Sequence, residues 1–275
     1  MKAIQVLIWT LLSSIFTLIL TACSSPAIQQ PASAEAQQVQ AETEIARADS
    51  AQAAASRSSA SSNNSNILNE QRLGTKWGDD ISSPITQVAL KRLSSSPVSE
   101  TQIRYAGKQF SGRSINSISL AAGKVSFAVL DGRGRTLPLY REDQQYFLSA
   151  NEGQSYVLKY SNSSAQTYEI VASVDGLDVI NGQRASRYNS GYVLRPYSSL
   201  EIEGFRKSND AVASFTFSKP KDAYAAHSAS GSIYNTGVIG TAVYELNAPR
   251  GTAAPADKYA PAGKYAPAPN AFPAD

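Results

Sequence analysis

The chain has 275 residues, a formal net charge of +3 and one cysteine. Basic and acidic residues are mixed along its length, which excludes the basic stripe of a nucleic-acid-binding protein. A single thiol excludes an internal disulfide and a Cys-rich zinc site, and no cofactor is expected.

Residues 1–22 read as a signal peptide. Lys2 supplies the positive start, Ile4 to Leu20 are almost wholly apolar, and the small residues Thr21 and Ala22 precede Cys23. Charged start, apolar middle and small-residue cleavage site are the layout of a secretory signal. A transmembrane anchor competes, since Ala3 to Ala22 matches the roughly 20 residues a span needs. The stretch Leu20-Thr21-Ala22-Cys23 decides between them, because it resembles the lipobox of bacterial lipoproteins. The resemblance implies cleavage before Cys23 and acyl chains on its sulfur and amino group, with the membrane as partner. One chain, at about 0.8 kcal/mol per buried CH₂, binds marginally, and several make the anchor stable. In that family an Asp after the cysteine favours the inner membrane, so Ser24 and Ser25 favour the outer one.

Residues 23–70 read as a tether. They hold almost no aromatic or large apolar side chain and end in the Ser/Asn-rich run Ser56 to Asn66, so they cannot offset the entropy of ordering. Ala34, Ala41, Ala48 and Ala55 recur at seven-residue spacing. Their Gln, Glu and Ala neighbours would make a thin coiled-coil seam, and a solvated, partly helical spacer is expected instead. As flexible coil it reaches roughly 40 Å.

Residues 71–247 read as the folded part. INSISL, KVSFAVL, SYVLKYS, TYEIVASVD, GYVLRP, SLEIEGF, AVASFTF and GVIGTAVYEL are short runs rich in Val, Ile, Tyr, Phe and Thr, several with strand alternation. VSFAVLDGRGRTLPLY is expected to form a hairpin bending at Asp131-Gly132, and YVLKYSNSSAQTYEIV another bending at Asn162-Ser163-Ser164. Strands at regular intervals with no convincing helix predict an all-β, antiparallel β-sandwich. Lys221 to Ser228, KDAYAAHS, is the one interior stretch expected to make a helical turn, with Asp222 as its cap.

Residues 248–275 repeat themselves, KYAPAG at Lys258 and KYAPAP at Lys264, with Pro at 249, 255, 261, 267, 269 and 273. Such proline density predicts an extended, disordered tail without helix or sheet. The two Lys-Tyr pairs offer a grip on a polymer or partner protein; a solvated end is the plainer reading.

SVDGLDVINGQRAS, GYVLRPYSSLEIEGFRKSNDAVASFTF, DAYAA and NTGVIGTAVYE, with TKWGDD upstream, resemble an uncharacterised family of bacterial exported proteins over about Gly153 to Glu245. The resemblance implies one β-rich module in the cell envelope and nothing catalytic. It departs from the family at His227 and SASGSIY, which stand where a different loop is usual.

Catalysis finds little support. A Ser-His-Asp site would have to use the sole histidine, His227, with Asp222 as orienter, and no GxSxG elbow is present. DGRGR (Asp131 to Arg135) lacks the helix and Lys-Ser/Thr pair of a phosphate loop. DGLD (Asp175 to Asp178) is too small a cluster for calcium and reads as a turn. Glu142, Asp143, Glu201 and Glu203 remain as carboxylates for glycoside hydrolysis, although Glu201 and Glu203 flank Ile202 on the wet face of a strand. The expectation is a lipid-anchored envelope protein that binds or scaffolds an envelope protein or glycan, with Asp222, Tyr224 and His227 as candidate binding residues. The alternatives are an envelope hydrolase using carboxylates and an accessory lipoprotein of an export or surface-structure assembly.

Overall fold

Period-two burial builds the molecule. In Ser155–Asn162 every second residue, Tyr156, Leu158, Tyr160 and Asn162, is buried and those between face outward, as one face of a pleated strand requires. The computed structural model describes residues 71–251, 258–260 and 263–269. The expected signal peptide, Cys23 and the expected tether lie outside them.

The strands in chain order are β1 Gly74–Ser82, β2 Ile85–Gln87, β3 Ser99–Ala106, β4 Arg113–Ile115, β5 Ile118–Leu120, β6 Val125–Asp131, β7 Leu139–Glu142, β8 Gln145–Ser149 and β9 Ser155–Asn162. They continue as β10 Tyr168–Val174, β11 Leu177–Asp178, β12 Tyr192–Leu194, β13 Ser199–Ile202, β14 Gly204–Arg206, β15 Ala211–Ser218, β16 Val238–Glu245 and β17 Lys258–Ala260. Two sheets form a β-sandwich. One runs β1-β15-β9-β6-β5, with β13 and β14 seated in the fork where β9 and β15 diverge. The other runs β2-β17-β12-β10-β16-β3-β8-β7-β4, with β11 folded back on β10. Pairing is antiparallel except β3 with β8 and β17 with β2.

The core between the sheets is aromatic and hydrogen-bonded. Tyr156 stacks on Phe217 with centroids 4.2 Å apart, and Phe127 on Tyr160 at 4.6 Å, contacts that add to area burial. Tyr160 Oη meets Thr241 Oγ1 across the two sheets at 2.7 Å. Burial pushes the Tyr160 hydroxyl far above its ordinary range, so the pair stays neutral.

Both expected hairpins prove to be crossings between the sheets. After Asp131 the chain turns as foreseen, with the Asp131 carboxylate accepting from the Arg133 and Arg135 amides at 2.9 Å, but the positive φ falls on Gly134, not Gly132. Leu137 N still bonds Val129 O. Pro138 then has no N–H to continue the ladder, and Leu139 onward joins the other sheet as β7. At the second crossing the Asn162 carboxamide takes over the ladder's role. Its nitrogen donates to Gln166 O and Arg195 O, and its oxygen accepts from the Ser164 amide and hydroxyl. A buried Asn with these bonds satisfies the bend internally, which lets β9 and β10 part into different sheets.

The tail expectation is corrected at its repeats. Lys258–Ala260 is a strand between β2 and β12, and Ala260 and Ala266 are 0% and 5% exposed. Ala266 N donates to Ile180 O and Arg206 O at 2.9 and 2.8 Å, and Pro267 O accepts from Tyr224 Oη at 2.7 Å.

Candidate functional site

A groove lies on the outer face of the second sheet, over β10, β16 and β3. Its floor is made of small side chains, Ser173, Gly240 and Ala242, and a Cβ at Gly240 would stand 2.6 Å from Ser173 Oγ. Its walls are Glu100 and Gln102 from β3 and, opposite, the loop carrying Ala185 to Tyr188. The groove encloses about 610 Å³. A second hollow of about 410 Å³ adjoins it across Glu100, Thr101 and Gln102 and is lined by Arg104, Arg141 and Gln145. The loop rim ends in Tyr188, which is 74% exposed.

The loop is built to stay in place. Asp175 and Gly176 take φ of 53° and 77°, the paired positive angles of a tight hairpin turn, so that Asp178 on β11 stands opposite Ser173. Asp178 is 1% exposed. Its Oδ1 accepts from the amides of Ile180 and Asn181 at 2.9 and 3.0 Å, and its Oδ2 from Asn189 Nδ2 at 3.2 Å. Burial pushes this carboxyl above its usual range, and the three donors pull it back in part.

At the far end of the loop, Arg92 reaches Glu169 and donates to the carbonyls of Arg187 and Asn189, with its guanidinium 3.7 Å above the Tyr244 ring. Tyr244 Oη donates to Arg187 O at 2.7 Å, and Glu169 also accepts from Gly191 N. Charge-assisted bonds of this kind are the stronger class. They leave the Arg187 side chain free to face Glu100, 3.4 Å away, so the groove has a paired charge across its mouth.

A second polar cluster is sealed inside the sandwich. Asp175, 1% exposed, accepts from Thr75 N at 2.7 Å, Gly237 N at 2.8 Å and Tyr105 Oη at 2.6 Å. Because the Tyr105 proton is given to Asp175, Thr75 Oγ1 donates to Tyr105, and Tyr156 donates to Thr75 in turn. Burial lifts the Asp175 carboxyl to about 6 against the pull of these donors. With no opening to solvent, the cluster joins β1, β3, β9 and the β10–β11 turn and offers nothing to a ligand.

The residues singled out from sequence fall elsewhere. Asp222 is exposed at the end of one 3₁₀ turn, Pro220–Asp222, and caps nothing. Tyr224 opens the next turn, Tyr224–Ala226, and is buried against Trp77 and Phe205 with centroids 4.8 and 4.6 Å away. It is a core residue whose hydroxyl donates to Pro267 O at 2.7 Å. His227 is half-buried, and its Nε2 donates to Lys221 O at 2.8 Å. The helical turn expected over KDAYAAHS is present, but its three polar side chains do not converge.

The four carboxylates considered for hydrolysis are not brought together either. Glu142 and Asp143 bracket the exposed β7–β8 turn, Glu201 pairs with Lys159, and Glu203 pairs with Lys258. Among the described residues no group of three or more His, Cys, Asp or Glu is placed to hold a metal ion. Nothing in the sequence sets Tyr188 apart from the chain's other tyrosines. The Arg92–Glu169 clamp spans 77 positions and carries no local signal. Comparison with family models, with curated proteins and with solved structures returned no match.

Proposed function

We propose that this chain is a lipid-anchored protein of the cell envelope, held by acyl chains on Cys23, whose β-sandwich binds a glycan without transforming it. The observation that carries the binding reading is the groove over β3, β16 and β10. A floor of small residues admits a chain-like ligand close to the sheet. Glu100, Gln102, Ser173 and Arg187 offer donors and acceptors for hydroxyl groups, and the exposed Tyr188 ring offers an apolar face with a polar tip. Pre-fastened loops favour affinity because little ordering remains to be done on binding.

A second reading, a hydrolase using carboxylates, draws on one fact: Glu100 and Asp178 both line this groove. Against it, both Asp178 oxygens are engaged by the loop. A general acid has to reach the bond it protonates. The test is titration of the protein with soluble cell-wall and surface oligosaccharides, followed by calorimetry and by chromatography of the sugar. Saturable binding that weakens in Tyr188→Ala, with the sugar recovered intact, is expected. Cleaved sugar whose formation stops in Glu100→Gln would replace this reading by the hydrolase, and no binding to any glycan would end it.

A further inference from the structure

Strand β3 is paired unequally on its two sides. It meets β16 from Ser99 to Arg104, whereas β8 covers the opposite flank only from Ile103 onward. Over residues 99–102 no described strand lies along that flank. Tyr105 N donates to Gly237 O on the β16 side, and Ala106 O accepts from Ala150 N on the other. Main-chain groups alternate sides along a strand, so those of Glu100 and Gln102 turn to the uncovered flank. The hollow of about 410 Å³ lies there, in the lane that β8 leaves empty.

The lane has a wall and an end. Its far wall is β5, the edge strand of the first sheet. The β7–β8 turn closes one end, and Arg141 Nε holds that turn by donating to Asp143 O at 2.8 Å. The lining divides by chemistry, with Ile118, Leu120 and Tyr146 apolar or aromatic and Arg104 and Arg141 basic. An extended segment shows alternate side chains to opposite faces, which suits a lining divided in this way. Among the described residues neither Arg104 nor Arg141 joins an ion pair, although Glu142 and Asp143 follow Arg141 in the turn. Glu100, which also lines the hollow, is engaged by Arg187. Arg113 stands opposite Arg141 in the β4–β7 register, and like charges directly opposed are unfavourable on a sheet. A carboxylate arriving in the lane relieves that arrangement.

We propose that this lane is a docking site for an extended, acidic segment of a partner protein, which adds to β3 as a strand in line with β8. An uncovered strand edge is a template for such addition: main-chain bonds supply affinity and alternate side chains supply specificity. Here the main-chain bonds come from Glu100 and Gln102, and the specificity comes from the two arginines on one side and the Ile118–Leu120 wall on the other. The lane shares Glu100, Thr101 and Gln102 with the groove but needs no sugar there, so the proposal stands independently of the glycan reading.

The test pans displayed random hexapeptides on the full chain, purified in detergent. Enriched peptides are expected to carry Asp or Glu and to alternate with apolar or β-branched residues. Each is then synthesised with N-methyl groups on alternate amides, in one phase or the other, a readout that needs no change to the protein. Only one phase faces β3, so one set should bind about tenfold or more weakly and the other nearly as before. Arg104 and Arg141 are exposed, and Arg104→Gln or Arg141→Gln should weaken the acidic peptides while leaving their Gln-substituted versions unchanged. Two N-methyl phases that weaken binding alike, or peptides indifferent to both arginines, overturn the proposal. So does a panning that enriches no peptide, or an acidic oligosaccharide that binds through Arg104 and Arg141 where no peptide does.

Discussion

The sealed Asp175 carboxyl makes the stability of the domain depend on pH in the direction opposite to most acidic groups. Its folded-state value is about 6, against 3.8 for the free side chain, and the first cause is burial. A carboxyl raised on folding holds its proton more tightly in the folded state. Its contribution is therefore fully present below the unfolded value and is lost as pH rises through the folded one. About 6 less 3.8 is roughly two units, and each unit is worth about 1.4 kcal/mol, so the full loss is about 3 kcal/mol. Between about pH 4.5 and about pH 7.5, where the titration is incomplete at the lower end, roughly 2 kcal/mol should disappear.

Asp178 adds in the same direction and Asp131, which its turn holds below the usual range, in the other. Asp175→Asn isolates the residue. The amide cannot ionise, and whichever way it is turned, its NH₂ meets Thr75 N–H or Gly237 N–H, a donor facing a donor. The variant should lose about 1–3 kcal/mol at low pH and show a flatter pH profile. Urea unfolding of the two proteins at both pH values measures this. Parallel pH profiles would refute the reasoning, because they would show that Asp175 does not change protonation across the window.

The remaining expectations are simpler. Cys23→Ser should abolish incorporation of labelled palmitate and signal-peptide removal at that site; continued labelling would remove the lipid anchor from the proposal. Tyr224→Ala should cost about 3–5 kcal/mol, as loss of a buried aromatic does, whereas Asp222→Ala should stay within about 0.5 kcal/mol because it caps nothing; chemical denaturation separates them. Arg92→Ala unfastens Glu169 and the carbonyls of Arg187 and Asn189, so ligand binding in the groove should weaken more than in a variant of an exposed loop such as Arg133→Ala, read by calorimetry. Gly191→Ala would place a Cβ 2.2 Å from Ile170 O, and a lowered melting temperature with the same sheet signal in circular dichroism is expected.

Strand positions were legible in the sequence because alternation is local: Tyr156, Leu158 and Tyr160 announce an inward face by spacing alone. Sheet membership was not. β9 and β10 are neighbours in sequence with turn residues between them, which is also what a hairpin looks like, and the decision lies in what the Asn162 carboxamide bonds after the chain has crossed. The turn at Asp175-Gly176 was readable from residue type, but its burial depends on Thr75, Tyr105 and Gly237, all distant in sequence. The groove was the least legible part, since Glu100, Arg187 and Gly240 acquire meaning only when β3, β10 and β16 lie side by side. The tail misled for a physical reason: proline forbids a long ladder, yet three residues ending at an alanine suffice to dock.

The pairing of distant segments bears on when this chain can fold. β1 finds its partner only in β15, β3 finds one in β16, and β2 waits for β17. Loop closure over such separations is slow, and topologies dominated by it fold late. A chain that emerges from its N-terminus cannot complete the first sheet before residue 218 is available, nor the second before residue 260. Its first half therefore has no finished sheet to form. The strand order thus defers the locking of both sheets to the moment when the last segment arrives.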